Sequence, residues 1–285
     1  MDKELSTGFK EARKITKKFA KTFYLSSLFL PKTKRNASYA IYAVCRLSDE
    51  SVDNMSSGHA QRLKTLEQKI TCAYSNSNTD GPLMAAFSKT VKDYNIPKEY
   101  FDELIKGMYM DLEIKNYPDF KSLYTYCYRV AGIIGLIMIR IFGYKNSSAE
   151  DYAVKLGIAM QLNNILRDIK EDVSLGRIYL PADEMARFNV SGSQLAGGVI
   201  NEPFKNLLQF QIDRCRKFYD ESLEGIKLID NRISRLVILT MKGIYSGILD
   251  EIRRNDYDVF TKRAIVSCPR KITIIFKILL EKKYL

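Results

Sequence analysis

The 285-residue chain has a single histidine, His59, and that scarcity removes two broad classes of chemistry. No metal centre can rest on two or more imidazoles. Ser-His-Asp catalysis is disfavoured, because its base would have to be this one residue, in the polar stretch Met55-Ser56-Ser57-Gly58-His59. That setting marks His59 as a surface residue. The five cysteines (Cys45, Cys72, Cys127, Cys215, Cys268) are odd in number, scattered and without a CxxC pair. They read as reduced, cytosolic thiols, which excludes a disulfide frame and a cysteine zinc site. Seven prolines and fifteen glycines are few for this length. With no linker, fixed-period repeat or low-complexity segment, one domain over 1–285 is expected. The longest apolar run, 131–139, is short of the roughly 20 residues of a membrane span. The start Met1-Asp2-Lys3-Glu4 carries both charge signs with no apolar core after it, so no signal peptide is expected. A cytoplasmic protein, soluble or peripheral to the inner face of a membrane, is the expectation.

The formal net charge is +12 and the pI about 9.3, a preference for anions. The basic residues form no long run and no zinc-finger or RNA-binding signature is present, so nucleic acid is not the expected partner. A polyanionic small substrate and an anionic membrane surface both fit.

Almost every segment repeats its apolar residues at spacings of three and four, the helical period. Helices are expected over 10–23, 37–53, 63–74, 83–94, 98–116, 123–142, 149–173, 204–229, 233–254 and 271–283. Pro97 can start one and Gly143 can cap another. A polar turn is expected at 76–82. The one strand candidate, 177–181, is too short to anchor a sheet. The expected fold is all-α.

Within this helical text lie two acidic clusters, Asp49-Glu50-Ser51-Val52-Asp53 and Asp168-Ile169-Lys170-Glu171-Asp172. Each sets two aspartates four residues apart, one turn apart on one helix face, where like charges repel by a few tenths of a kcal/mol. A single such pair reads as a solvated helix end. Two pairs embedded in apolar helices point to a shared cation, and Mg²⁺ is the hard cation that takes carboxylates and bridges to phosphates. Arg46 lies one turn ahead of the first pair. Gln161, Asn164 and Arg167 precede the second on the same expected helix. Guanidinium forks and amides are what phosphate oxygens require. Between the clusters, Asp111 is a lone carboxylate in an apolar helix, and a structural role with a buried partner fits it as well as a chemical one. Ala131, Gly132 and Gly135 are small residues that allow either close helix packing or room for a long apolar tail.

Five stretches carry a resemblance when taken in order. They are Lys21-Thr22-Phe23-Tyr24, the run from Tyr42 through Asp53, the run from Gly107 through Leu112, the run from Tyr126 through Gly135, and the run from Gln161 through Pro181. Together they resemble the squalene/phytoene synthase family over essentially the whole chain. The resemblance implies a class I terpenoid synthase bundle with both aspartate motifs facing a central cavity. It implies Asp49, Asp53, Asp168 and Asp172 as magnesium ligands, with Mn²⁺ as an alternative metal. Arg46, Gln161, Asn164 and Arg167 match diphosphate positions. Tyr42, Tyr128 and Tyr245 match cavity tyrosines, Phe23 an aromatic near the reacting carbons, and Lys262 or Arg263 a late basic position.

The implied chemistry is head-to-head condensation of two prenyl diphosphates through a cyclopropylcarbinyl diphosphate. The favoured expectation is phytoene from two C20 geranylgeranyl diphosphates; Ser27, small where some C30 synthases are bulky, leans that way. The alternative is C15 farnesyl diphosphate giving presqualene diphosphate, dehydrosqualene or squalene, with NADPH needed only for squalene. A chain-elongating prenyltransferase or terpene cyclase would show DDxxD, which neither cluster has. A non-catalytic, membrane-associated interaction protein would be expected to have lost some of the four aspartates. The basic, apolar C-terminal segment 271–283 is a candidate membrane-surface element. Oligomeric state is not legible.

Overall fold

The computed structural model describes residues 3–53, 58–75 and 79–280, the side chains of Val52 and Asp53 excepted. Lys3–Phe19 (α1), Lys21–Ser27 (α2) and Lys32–Asp53 (α3) open the chain, followed by His59–Tyr74 (α4), Pro82–Asp93 (α5) and Lys98–Glu113 (α6). Phe120–Cys127 (α7) passes through a π-helical turn, Tyr128–Gly132, into Ile133–Phe142 (α8). Ser148–Arg167 (α9) and Ile169–Ser174 (α10) carry the second acidic cluster. Ala182–Arg187 (α11) and Gly192–Ala196 (α12) precede the long Glu202–Ile226 (α13) and Arg232–Arg254 (α14), and Cys268–Leu280 (α15) comes last. Among the described residues there is no strand. The candidate at 177–181 contributes one isolated bridge, Ile178 to Asn116.

Side-chain caps fix several starts, as polar residues that satisfy the free first-turn amides. Asp119 accepts from Ser122 N at 2.8 Å, Asn201 from Phe204 N at 3.0 Å, and Ser191 with Gln194 forms a capping box. Gly143 ends α8 with φ +80°, open to glycine at no steric cost.

Two expected helices are each broken once. Residues 10–23 divide at Ala20 (φ −128°), and 149–173 divide at Asp168 (φ −108°, ψ 18°). Neither break disturbs a period of three and four, because the backbone bonds Tyr24 N to Ala20 O and Asp172 N to Asp168 O carry the register across. The two aspartates therefore stay one turn apart although α9 ends just before them. The helices α11 and α12 were not expected, being too short to show a period. Part of the polar turn at 76–82 lies outside the described residues. His59 is half-buried, not a plain surface residue: Nδ1 lies 3.1 Å from Ser51 O and 3.0 Å from the Arg62 guanidinium, tying α4 back to α3.

Helix α9 runs through the middle, packed on α13, α8 and α14. Two large buried clusters meet along it and share Tyr128, Val130, Val154 and Leu156. Where α8 crosses α9 the backbones touch. A Cβ on Gly135 would lie 2.2 Å from Ala153 O, and one on Gly157 2.2 Å from Ala131 O. Residues Phe120–Phe142 have the length and hydropathy of a membrane span. Half of that window is buried in the bundle, and Arg129 and Arg140 within it pair with Glu103 (3.1 Å) and Glu150 (3.6 Å), so it serves as a core helix here.

Candidate active site

A cavity of about 550 Å³ opens between α3, α6, α8, α9 and α14. Its polarity follows from helix direction. Arg46 and Asp49 lie in the C-terminal part of α3; Gln161, Asn164 and Arg167 at the C-terminal end of α9; Asp168 and Asp172 just beyond; Tyr245 in the second half of α14. All of these line the cavity, and so does Arg263. Moving back along α9 and α14, the lining becomes Met160, Leu156, Ala153, Met241, Ile238 and Val237. Helix α8 runs the other way, with Gly135 opposite Ala153, so its later Met138, Ile139 and Phe142 reach the same deep end. Carboxylates and guanidinium groups thus converge at one end, and an apolar barrel closes the other.

At the polar end Arg167 grips Asp168 with two bonds of 2.8 and 2.5 Å, and Arg263 donates to Asp168 Oδ2 at 2.9 Å from the far side. Arg46 bonds Glu50 at 3.2 Å and lies 4.5 Å over the Phe19 ring. Burial, and after it the Asp168 carboxylate, push the Asp172 carboxyl up to about 8, with Arg177 pulling the other way. Phe23 and Tyr42 face each other at 6.0 Å between ring centroids. Burial raises the phenols of Tyr42 and Tyr245, which keeps both neutral at any working pH.

Of the positions singled out in the sequence, Phe23, Tyr42, Arg46, Asp49, Gln161, Asn164, Arg167, Asp168, Asp172, Tyr245 and Arg263 line this cavity. Asp53 is the last residue of α3, and its side chain lies outside the described residues. Two of the positions singled out lie off this wall. Lys262 and Arg263 are both exposed, and of the two only Arg263 lines the cavity. Tyr128 is also off the wall: it packs between the two core clusters while Tyr126, two residues earlier and on another helix face, lines the cavity. Ser27 is fully buried, donating to Tyr24 O and bonded to the Tyr39 hydroxyl, both at 2.8 Å, and is not on the cavity wall. Its size therefore carries no direct measure of tail length.

The group that sequence reasoning left undecided is Asp111. It is 5% exposed, lines the cavity and accepts from Tyr126 (3.0 Å) and Tyr179 (2.6 Å). Tyr179 is stacked against Tyr117. A lone Asp in an apolar helix was the available signal; its tyrosine partners, one of them 68 residues downstream, were not readable. The small residues satisfy both readings, since Ala131 and Gly135 allow the close crossing with α9 and also line the cavity.

The donor set fits a divalent cation shared with a diphosphate. The Asp172 carboxyl is held up by burial and by the neighbouring Asp168, a cost that a bound cation would lift, and Asn164 Oδ1 is buried without a hydrogen-bond partner. Among the described residues no three His, Cys, Asp or Glu side chains form a complete cage. Mg²⁺ uses one or two carboxylates and completes its shell with water and substrate phosphate, so a cage is not required.

Comparison with known proteins agrees with this geometry. Residues 16–270 match the squalene/phytoene synthase family. The chain is 38% identical to 15-cis-phytoene synthase of Synechococcus elongatus over 94% of this chain and 91% of that one. It is also 38% identical to the chloroplastic phytoene synthase 2 of Solanum lycopersicum, over 94% and 88%. A crystallised dehydrosqualene synthase superposes with a TM-score of 0.93 at 30% identity, covering 99% of both chains. Likeness of that extent in sequence and backbone together decides the lineage: the chain belongs to the squalene/phytoene synthase family of prenyltransferase-type enzymes.

Proposed function

We propose that the protein joins two geranylgeranyl diphosphates head to head, through a cyclopropylcarbinyl diphosphate, to give phytoene. The observation that carries this is the division of one cavity into a carboxylate- and guanidinium-lined end and an apolar end, which matches a substrate with a diphosphate head and a long hydrocarbon tail. The identity to phytoene synthases favours the C20 substrate.

A divalent ion, Mg²⁺ or Mn²⁺, held by Asp49, Asp168 and Asp172 and completed by Asp53, would supply neutralisation of the departing diphosphate. Arg46, Arg167 and Arg263 add fixed positive charge around the same end, preorganised before the bond breaks. Gln161 and Asn164 hold diphosphate oxygens or the water around them. Loss of diphosphate leaves an allylic cation that water would quench. The apolar wall of Met138, Ile139, Phe142, Val237 and Ile238 keeps water from it. Phe23 and Tyr42 turn aromatic surface to the cavity beside Arg46, where a carbocation gains about 2 kcal/mol from a desolvated ring face. A second ionisation at the same site opens the cyclopropane, and proton loss yields phytoene with no reductant.

A second reading, condensation of farnesyl diphosphate to a C30 product, is favoured by the backbone likeness to the dehydrosqualene synthase. Incubation with Mg²⁺ and either substrate, with and without NADPH, followed by mass spectrometry separates the two. A C40 hydrocarbon independent of NADPH establishes the first reading. A C30 hydrocarbon or presqualene diphosphate establishes the second, and no product from either substrate overturns both.

A further inference from the structure

The chain leaves α14 through a strained turn. Asp256 N bonds Arg253 O at 3.0 Å and Tyr257 N bonds Ile252 O at 2.9 Å, the paired closure that ends a helix through one left-handed residue. Asp256 takes that place with φ +53°, a conformation that aspartate tolerates. Tyr257 then repeats it, with φ +62°. A bulky side chain is rare there, because its Cβ crowds the following carbonyl. Such strain persists only where surrounding contacts over-determine it.

Those contacts come from the first turns of α13. The Tyr257 hydroxyl donates to Gln209 Oε1 at 2.7 Å, and Gln209 is itself held by its Nε2 bond to Asp213 Oδ1, also 2.7 Å. Lys205 Nζ donates to Asp256 Oδ2 at 2.6 Å. Beyond Tyr257, Asp258 accepts from Phe260 N (3.0 Å), Thr261 N (2.9 Å) and the Thr261 hydroxyl. The Phe260 ring lies 5.3 Å from that of Phe204, again on α13, and Ala264 is buried. Between these two anchors stands Arg263, which lines the cavity and reaches Asp168. Tyr257 and Gln209 do not line it.

We propose that Tyr257 is a positioning residue: it sets the register of the segment after α14 so that Arg263, and not its neighbour Lys262, is presented to the polar end of the cavity. Helix α14 could end on Asp256 alone. The second left-handed residue turns the chain along α13, where Phe260 meets Phe204. With φ of Tyr257 returned to the usual negative range, residues 258–264 would leave α14 along another path, and the anchors on either side of Arg263 would be lost together. The exposure of Arg263 makes this support necessary. Its side chain is 52% exposed, so water screens the bond to Asp168, and that bond cannot fix the guanidinium by itself. A fork that must meet an anion in one orientation has to be aimed by the backbone that carries it. This role rests on the function proposed above, in which the polar end receives the diphosphate.

The test is a double-mutant cycle on the full-length protein, read by titration calorimetry as the affinity for inorganic diphosphate in the presence of Mg²⁺. Tyr257→Phe keeps the ring and loses the bond to Gln209; Tyr257→Gly releases the backbone as well. Each is made in wild type and in Arg263→Ala, with thermal melts to establish folding. In wild type, Tyr257→Phe is expected to weaken diphosphate binding about fivefold and Tyr257→Gly at least about tenfold. In Arg263→Ala neither should change it by more than about twofold, because the group being positioned is gone. A merely structural tyrosine would lower affinity by the same factor in both backgrounds, and that result overturns the proposal. Should Tyr257→Gly fail to fold, Tyr257→Phe carries the cycle by itself. A wild type that binds no diphosphate overturns this role and the proposed function together. A wild type that binds it, with both Tyr257 variants binding equally well, overturns this role alone.

Discussion

Arg263 reaches back 95 residues to donate to Asp168 Oδ2 at 2.9 Å, the same oxygen that Arg167 holds at 2.5 Å. One carboxylate thus fixes two guanidinium groups that approach from different elements, and both line the polar end of the cavity. The Arg263 side chain is 52% exposed, so solvent screens its pair with Asp168 and its weight lies in the charge and fork it would offer a diphosphate. Arg263→Ala is therefore expected to lower kcat/KM by about 100-fold, and Arg263→Lys, which keeps charge but loses the fork, by about tenfold. Lys262→Ala, exposed next door, should stay within about twofold of wild type. Steady-state kinetics on the three variants check the assignment. A loss at Lys262 equal to that at Arg263 would refute it.

Asp172 sets a pH signature. Its carboxyl is pushed up to about 8 from an ordinary 3.8, so between those values the native protein holds a proton that the unfolded chain has released. Stability of the metal-free protein consequently falls as pH rises through this window, by about 1–3 kcal/mol. The carboxylate form binds cation, so Mg²⁺ is expected to displace the proton and to stabilise more at pH 8.5 than at pH 6. Asp172→Asn removes the charge and leaves the packing. It should melt higher than wild type at pH 8.5 without metal, gain little from Mg²⁺ and turn over at least about 1000-fold more slowly. Melting curves across pH, with and without Mg²⁺, decide it. A wild type whose metal-free melting is flat between pH 6 and 8.5 relative to Asp172→Asn would refute the shift. Alanine at Asp49 or Asp168 should likewise abolish turnover.

Tyr126 and Tyr128 offer a direct contrast between two neighbouring rings. Tyr126 donates to Asp111 at 3.0 Å on the cavity wall, whereas Tyr128 packs between the two cores. Tyr126→Phe leaves a buried carboxylate one donor short, which costs about 1–3 kcal/mol and should lower kcat more than it raises KM. Tyr128→Phe is expected to keep kcat within about threefold. Equal kinetic losses in both variants would show that the π-helical turn does not separate their roles.

The sequence made the fold class legible because nearly every helix is long enough for its period to show, and it made the aspartate motifs legible because a four-residue spacing means the same thing on α3 and across the Asp168 break. What escaped was whatever depends on small rotations or on distant pairing. Whether Tyr126 or Tyr128 faces the cavity turns on the register between α7 and the π-helical turn, which no apolar period records. Whether Lys262 or Arg263 meets Asp168 turns on one residue of an irregular segment after α14. Asp111 could be seen as an oddity, but its partner Tyr179 comes from a segment that reads as a short strand. Ser27 illustrates the opposite error: a small residue suggests space, yet its hydroxyl is spent on Tyr24 and Tyr39 and the space is not in the cavity.

The crossing of α8 and α9 gives the sharpest mechanical prediction. A Cβ at position 157 would lie 2.2 Å from Ala131 O and 3.0 Å from Gly132 Cα, contacts with backbone that cannot turn aside as a side chain could. Gly157→Ala must push the π-helical turn that leads into α8 away from α9 and is expected to destabilise by about 1–3 kcal/mol, and Gly157→Val by more. The same displacement moves Ala131 and Gly135, which line the cavity, so activity of whatever folds should fall as well. Gly176, whose φ is +73° but whose Cβ would meet nothing within 4 Å, is the control. Alanine there strains only the turn, costs about 1 kcal/mol, and leaves kcat near wild type. Chemical denaturation and kinetics of the two alanine variants test this pair. If Gly157→Ala proved as stable and as active as Gly176→Ala, the close contact of the two helices would not be what shapes the cavity wall.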